Sequence, residues 1–585
     1  MKKVFIITIL FFLVSAASGQ KSFKVSGVIK DSLTSEVLAG ATINVNYGQL
    51  NVITDGQGKF SFYVGKKDLI MVVRFIGYKP WRYQENLAGD KFFEINLLQV
   101  SNDLEEVLVS SKNPNSNIKR PLLGVNTISI KTLNKIPSAL GEVDIMRGLQ
   151  MLPGVSSVGE ASNGVNIRGG ATDQNLILLD DAPIFNPTHM FGLFSAFPSE
   201  AISSFDLYKG NVPTRFGGRA AAVLDVNLSN PNTEKFKLQG GISMVSNRLL
   251  LDIPIIKNKM GVSISGRGAF NDFLLPLASK QLDNVKAKFG DASSKLFYII
   301  NPKNTLTLSS YFSNDYFQTE ILGSINEVNS TNTQYKYQTF NNTLNWFHSI
   351  NANLNIQTKF INSTYQPTTL LPELNSDNKV KIISGINFNQ FKTNLNYFKN
   401  KHKVEFGLDA IRYDINPGEL NPGTNQNITR VKTQNELAYE TAVYLEDEIE
   451  FSKKLVATGG IRYSYFLNMG PGSYRNYIAG NPRDEISLID TVFLGKGVVQ
   501  KTYGGLEPRL GIRYQLNPKK TLKLGYNLMR QYLQVVTNTT TPLPTSRWKT
   551  SDLYIKPQVS NLLTVGYVQE TESSIYEYSI EGYLR

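Results

Sequence analysis

Asp180 and Asp181 stand side by side in the run Leu-Leu-Asp-Asp-Ala-Pro, and a pair of carboxylates is one way to build acid–base chemistry. Neighbours in a turn point their side chains apart, however, so these two do not share a substrate proton. The three histidines, His189, His348 and His402, lie far apart, without the i,i+4 or short spacing that a zinc site uses. The chain has no cysteine, which removes thiol nucleophiles, thiolate metal sites and disulfides. Two glycine-rich spots, Asn163–Gly170 (NGVNIRGG) and Arg215–Arg219 (RFGGR), invite a phosphate-cradle reading. Neither follows the strand, GxGxxG and helix order of a dinucleotide site, so glycine there serves tight turns or close backbone approach. No catalytic constellation appears; the expectation is a protein that is not an enzyme, with no cofactor and no metal.

The net charge of +13 suggests nucleic acid. Yet Lys and Arg are spread along the chain, without a basic helix or an RNP-like run. Many sit in short turns, which fits solvated turns and loops facing anionic lipid headgroups better. Lys2 and Lys3, the apolar run Val4 to Val14, and the small residues Ala17 and Gly19 before Gln20 form a secretory signal over residues 1–19. Its apolar run is too short for a bilayer span, and no later segment is long enough. A membrane location therefore requires a barrel of strands.

From Lys235 onward short turns recur: Lys257-Asn258-Lys259, Asn301-Pro302-Lys303-Asn304, Asn351-Ala352-Asn353, Asn400-Lys401-His402-Lys403, Ser452-Lys453-Lys454 and Asn517-Pro518-Lys519-Lys520. Between them lie alternating segments of about ten residues and longer polar loops such as Asn468 to Arg483. Val443, Leu445, Ile449 and Phe451 share one parity; Tyr444, Glu446, Glu448 and Glu450 share the other, and Asp447 interrupts the apolar set. Leu455, Ala457, Ile461, Tyr463 and Tyr465 line one face, as do Leu510, Ile512, Tyr514 and Leu516 opposite Arg509, Arg513 and Gln515. Period two puts one set toward lipid and the other toward a lumen. Tyr311, Tyr316 and Phe317 are read as loop aromatics, either sugar-stacking or, preferably, part of an interface girdle.

Residues 21–100 alternate in about seven short runs, the pattern of a small β-sandwich. Val25-Ser26-Gly27-Val28, Leu38 to Ile43 (LAGATI), Thr54 to Phe60 (TDGQGKF) and Phe75-Ile76-Gly77-Tyr78 give this segment a resemblance to the carboxypeptidase regulatory-like domain, a non-catalytic module. A linker, residues 101–116, contains Asp103 to Ser110 (DLEEVLVS) and then SKNPNSN. Leu104, Val107, Leu108 and Val109 fit either a strand that adds to a partner's sheet edge or a last strand of the sandwich.

Residues 117–229 hold the most specific patterns. Pro137 to Leu152 has helical spacing, stopped at Pro153-Gly154. Leu152 to Val155 (LPGV), Val165 to Gly170 (VNIRGG), Asp173 to Pro187 (DQNLILLDDAPIFNP) and Tyr208 to Val226 (YKGNVPTRFGGRAAAVLDV) follow in order. Together they make this region similar to the plug domain of TonB-dependent outer-membrane receptors. Asp181 departs from that pattern, which usually has glycine after the first Asp. The resemblance implies a mainly β fold: N-terminal sandwich, α/β plug and an antiparallel transmembrane β-barrel over residues 230–585. It implies Arg168, Gly169, Gly170, Asp180, Arg215, Gly217 and Gly218 as plug-motif residues. It also marks Leu104, Glu105, Glu106, Val107, Leu108 and Val109 as the TonB box, the contact for a periplasmic energy-transducing partner.

The resemblance further implies energised uptake of a scarce solute, small or oligomeric, at the outer membrane of a Gram-negative bacterium after signal-peptide cleavage. Siderophore, glycan, peptide and cobalamin-like cargo stay open. The arginine of the IRG motif, Arg168, together with Arg215, supplies plug cations that Glu446, Glu448 and Glu507 on the lumen parity could face; ordinary solvated lumen charges are the alternative. About 15 strands are counted against the roughly 22 of the resembled barrels, and Leu584-Arg585 stands inside an alternating run, so a C-terminally truncated barrel is expected. A surface-binding or scaffolding protein is the rival reading, and it has no need of the DLEEVLVS segment.

Overall fold

The computed structural model describes residues 23–97, 118, 122–129, 133 and 144–585, apart from short interruptions at 33–34, 36, 39, 46–49, 65–67, 76–77, 79, 160–161, 244–245, 271, 273–279, 281–283, 320–323, 326–327, 330–331, 374–376, 537–546 and 572–575. The signal segment, the Leu104–Val109 box and residues 137–143 of the expected Pro137–Leu152 helix lie outside the described residues; of the rest, Ile145–Gln150 is helical. The chain divides near residue 104 into two compact units.

The first unit has the seven strands that its alternation predicts, in two sheets. In the smaller sheet Phe23–Asp31 is central, antiparallel to Lys59–Val64 and parallel to Lys91–Leu97. The larger runs Leu50–Ile53, Thr42–Val45, Asp68–Arg74, Trp81–Asn86. Every second residue of Lys59–Val64 is buried (Phe60, Phe62, Val64), so period two becomes a core shared with Val25, Ile29, Ile43, Met71 and Ile95. Gly27 is required by packing, since a Cβ there would stand 2.2 Å from the Phe93 carbonyl oxygen. Asp55 closes the hairpin turn by accepting the Gln57 and Lys59 N–H groups at 2.9 and 2.8 Å.

In the second unit, a five-stranded mixed sheet runs Ala182–Pro183, Leu176–Leu179, Val223–Leu228, Ile202–Tyr208, Val125–Ser129. Leu176–Leu179 pairs on both edges, parallel to Val223–Leu228, which explains its unbroken apolar run. A short helix, Ile145–Gln150, buries Ile145, Met146 and Leu149 on this sheet's core, with Phe197, Phe205 and Leu224. The Asp144 carboxylate caps it by accepting the Arg147 N–H at 3.1 Å.

Around this wedge, sixteen strands among the described residues form one sheet. Fifteen follow in series from Lys237–Ile242 to Glu577–Leu584, and Val431–Lys432 adds to the side of His402–Asn421. Adjacent strands run antiparallel, for example Glu436–Glu450 with Leu455–Met469. On these two, Ala438, Tyr444, Arg462, Ser464 and Phe466 are buried inward, while Val443, Leu445, Ile461, Tyr463 and Tyr465 are exposed. The parities are those read from the sequence.

Three expectations change. The barrel segments are longer than ten residues: Leu354–Pro372 has 19 and Lys379–Lys399 has 21. About ten tilted residues cross the hydrocarbon, so these hairpins carry the wall beyond it. The Asn468 to Arg483 stretch is no plain loop, because Gly472–Tyr477 pairs with Leu488–Leu494. Tyr311 is neither a loop residue nor a girdle residue. Its parity on Asn304–Thr319 points it inward, and its hydroxyl donates to the Ala196 carbonyl at 2.7 Å.

Candidate functional site

Asp180 and Asp181 form a tight turn with φ of 45° and 70°, a conformation that non-glycine residues adopt uncommonly. Their carboxylates diverge, each to its own part of the wall. Asp180 accepts the Leu228 N–H at 2.8 Å, the Ser309 hydroxyl at 2.5 Å and the Lys295 ammonium at 2.9 Å. Asp181 accepts from Lys359 at 2.6 Å. Burial pushes the Asp181 carboxyl up, but Lys359, with Lys392 and Arg215 beyond it, outweighs burial and holds it below the usual carboxylate range. Aspartate thus occupies a glycine-type turn because it gains a cation from the barrel. Asp181→Gly should relieve roughly 1 kcal/mol of backbone strain. It also strands a mostly buried Lys359, which costs about 3–5 kcal/mol. The expected net loss is about 2–4 kcal/mol, measurable by denaturant unfolding in detergent.

Arg168 (φ 49°) and Gly169 (φ 76°) make a second bend. The Arg168 guanidinium reaches none of the three acids Glu446, Glu448 and Glu507; it pairs with Glu581 and lies 5.2 Å from the Tyr583 ring centre. Glycine makes room for it, since a Cβ on Gly124 would come within 3.0 Å of its Nη2. Burial lowers the Arg168 pKa, and Glu581 offsets part of that.

The third contact is the loop from Gly210 to Arg219, which lies along the inner wall. Barrel side chains bind its backbone: Asn527 donates to the Gly210 carbonyl, Arg509 to those of Val212 (3.1 Å) and Pro213, and Lys392 to that of Arg215 (2.8 Å). Glu446 accepts the Thr214 N–H at 2.7 Å. Arg215 meets Glu405 at 3.4 Å and stands 4.7 Å from the Phe216 ring centre. Burial lowers the Arg215 pKa, but the surrounding acids, Glu405 first, raise it above the ordinary arginine range. Gly217 and Gly218 lie against barrel charges. A Cβ on Gly217 would stand 2.4 Å from Arg462 Nε, and Gly218 has φ +75° next to Glu440.

Of the three lumen acids, then, Glu446 meets the loop that carries Arg215. Glu507 is buried beside Arg509 (3.2 Å) and the Ser464 hydroxyl (2.7 Å). Glu448 is half-buried and meets neither plug arginine among the described residues.

Two clusters had no signal in the sequence. His189 sits between two barrel carboxylates, with Nδ1 2.6 Å from Asp315 and Nε2 3.1 Å from Asp291. Its ring stacks on Phe289 at 4.4 Å, and Arg267 also holds Asp291 at 2.6 Å. Burial opposes the charged ring, but Asp315 and Asp291 outweigh it and bring its pKa up to about 9. Arg462 is the other: fully buried, 3.0 Å from Asp409 and 3.5 Å from the Thr214 carbonyl. Among the described residues no group of His, Cys, Asp and Glu has the arrangement of a metal site.

A sheet of two-faced strands wrapped on a hydrogen-bonded globular wedge defines a plugged β-barrel. Residues 269–574 match the family described as TonB dependent receptor-like, beta-barrel; residues 125–224 match the TonB-dependent receptor plug domain, and residues 25–109 the CarboxypepD_reg-like domain. The chain belongs to the TonB-dependent receptors. The fold is similar to that of a mutant of the ferric enterobactin receptor PfeA of Pseudomonas aeruginosa (TM-score 0.54, 14% identity, 81% of this chain and 72% of that one). It is also similar to the siderophore receptor PirA of Acinetobacter baumannii (0.53, 16%, 79% and 70%) and to a double mutant of the hemophore receptor HasR of Serratia marcescens, solved with its hemophore HasA and heme (0.56, 13%, 80% and 73%). No curated protein matches the sequence. The family consists of outer-membrane receptors and transporters of Gram-negative bacteria rather than enzymes.

Proposed function

We propose that this chain imports a scarce solute across the outer membrane, driven by a TonB-type partner that grips Leu104 to Val109, after removal of the signal segment 1–19. In this reading residues 21–100 form the accessory sandwich, 101–116 the linker, 117–229 the plug and 230–585 the barrel. The observation that carries it is the seating of the plug. Its three bends are held to the wall by buried, directional contacts, including Asp181–Lys359 (2.6 Å) and Thr214–Glu446 (2.7 Å). Such a seal blocks the lumen at rest and opens only under work from outside, because the site has no nucleotide chemistry of its own. The proteins of similar fold named above include receptors for ferric enterobactin and for a heme-carrying hemophore. The cargo of this chain stays open among siderophore, glycan, peptide and cobalamin-like solutes.

Deleting Leu104 to Val109 should abolish accumulation of cargo while leaving surface binding and barrel leak unchanged. Uptake that persists after the deletion rejects the partner contact and favours a surface-binding or scaffolding role.

A further inference from the structure

The short-turn end of the barrel is basic at turn after turn. Lys257 and Lys259, Lys303, Lys453 and Lys454, and Lys519 and Lys520 stand in four of the short turns, and none of these turns contains Asp or Glu. Lys257, Lys259, Lys303, Lys454 and Lys520 have no carboxylate partner among the described residues. Turn closure is left to other side chains. Asn301 and Asn517 accept the N–H of Lys303 and Lys519 at 3.0 and 2.9 Å, and the Ser452 hydroxyl accepts that of Lys454 at 3.2 Å. At the long-loop end the charges are mixed and paired, as in Arg475–Glu485 (2.6 Å) and Lys549–Glu436 (2.5 Å).

A second feature fixes what the basic rim faces. Outward-facing aromatics lie just above it: Trp346 and Tyr514 are 41 and 45% exposed, and Tyr298 shares the outer face with Ile300. Tyr298 and Tyr514 each open the sequence Tyr-x-x-Asn-Pro-Lys, at 298–303 and 514–519. Outward aromatic rings mark the edge of the hydrocarbon. A lysine five residues farther on, around a turn, lies roughly 10 Å beyond the ring at strand rise, at the level of lipid phosphates.

We propose that this rim is a collar that docks the anionic glycerophospholipid headgroups of the leaflet it faces, selecting anionic over zwitterionic lipid. The inference rests on the membrane-barrel reading above, and on charge complementarity at a depth set by the aromatic girdle.

The test uses the full chain in neutral-detergent micelles supplemented with phosphatidylglycerol or with phosphatidylcholine, followed by thermal unfolding. Phosphatidylglycerol should raise the midpoint by several degrees over phosphatidylcholine, and added salt should shrink the difference. Replacing Lys257, Lys259, Lys303, Lys454 and Lys520 together by Gln should remove it, whereas Lys496→Gln with Lys556→Gln at the loop end should not. Equal midpoints in the two lipids, or a rim variant that keeps the difference, overturn the collar. So does inorganic phosphate that reproduces the shift, or a rim that retains peptidoglycan fragments instead of lipid. If the rim variant fails to fold, the comparison of lipids on the unaltered protein decides. A chain that stays in water without detergent would defeat the barrel reading itself; one that inserts but ignores headgroup charge defeats only the collar.

Discussion

Replacing His189 with leucine should lower the unfolding free energy of the plugged barrel by about 3–5 kcal/mol at neutral pH, the usual result of stripping one partner from a buried ion pair. The substitution leaves Asp315, 2.6 Å from the ring in the native protein, without its cation; Asp291 keeps Arg267. The same cluster makes native stability depend on pH. Burial disfavours the imidazolium, Asp315 and Asp291 overcome it, and the pKa rises from 6.5 to about 9. A raised histidine pKa means that the folded state binds the proton more tightly. Its contribution is therefore complete below about pH 6.5 and disappears as pH climbs through about 9. At roughly 1.4 kcal/mol per unit, that contribution is about 3 kcal/mol. Arg267, Phe289 and Tyr311 complete the surroundings, and Tyr311 holds the plug through the Ala196 carbonyl (2.7 Å). Unfolding in detergent from pH 6 to 10 should show the native protein losing stability across that window and the leucine variant staying nearly flat. Parallel curves for the two would reject the assignment.

The contrast between what local pattern reveals and what it hides is physical. Val443 and Leu445 against Tyr444 and Glu446 disclose two faces, because strand geometry sends neighbours to opposite sides whatever the rest of the chain does. The Asn-Pro-Lys turns disclose hairpin ends for the same reason: turn chemistry is local. The motifs around Arg168, Asp180 and Gly218, three positions that take positive φ in the structure, were recognised through their resemblance to the plug domain. Their partners were not. Arg168 pairs with Glu581, 413 residues away, a pairing set by which barrel strand happens to pass that bend. His189 has no neighbouring ligand in sequence, and its two carboxylates sit on different strands. Parity puts Glu446, Glu448 and Glu507 on the lumen side alike; the height of each along the wall decides which meets the plug. Strand lengths failed because alternation inside the lumen continues past the membrane edge, where only the outer face changes character.

Arg462→Met should be the most damaging single change on the barrel wall, with a loss of about 3–5 kcal/mol and an increased leak of small solutes. Arg462 is fully buried, 3.0 Å from Asp409 and 5.5 Å from the Tyr444 ring centre, and its side chain fills the space beside Gly217. Glu440 and Glu507 lie near it as well, so its charge answers three acids at once. Methionine keeps much of the volume and removes the charge, leaving buried Asp409 and Glu440 without this cation, Glu507 with Arg509 alone (3.2 Å), and the Thr214 carbonyl without its 3.5 Å donor. Lysine retains a charge but not the planar fork, and should recover only part of the loss. Removing the partner too, as Arg462→Met with Asp409→Leu, should recover more than lysine does if the uncompensated carboxylate is the main penalty. If the double variant is as unstable as Arg462→Met alone, Glu440 and Glu507 dominate instead, and the plug is held by the collective field of the wall rather than by the Arg462–Asp409 pair.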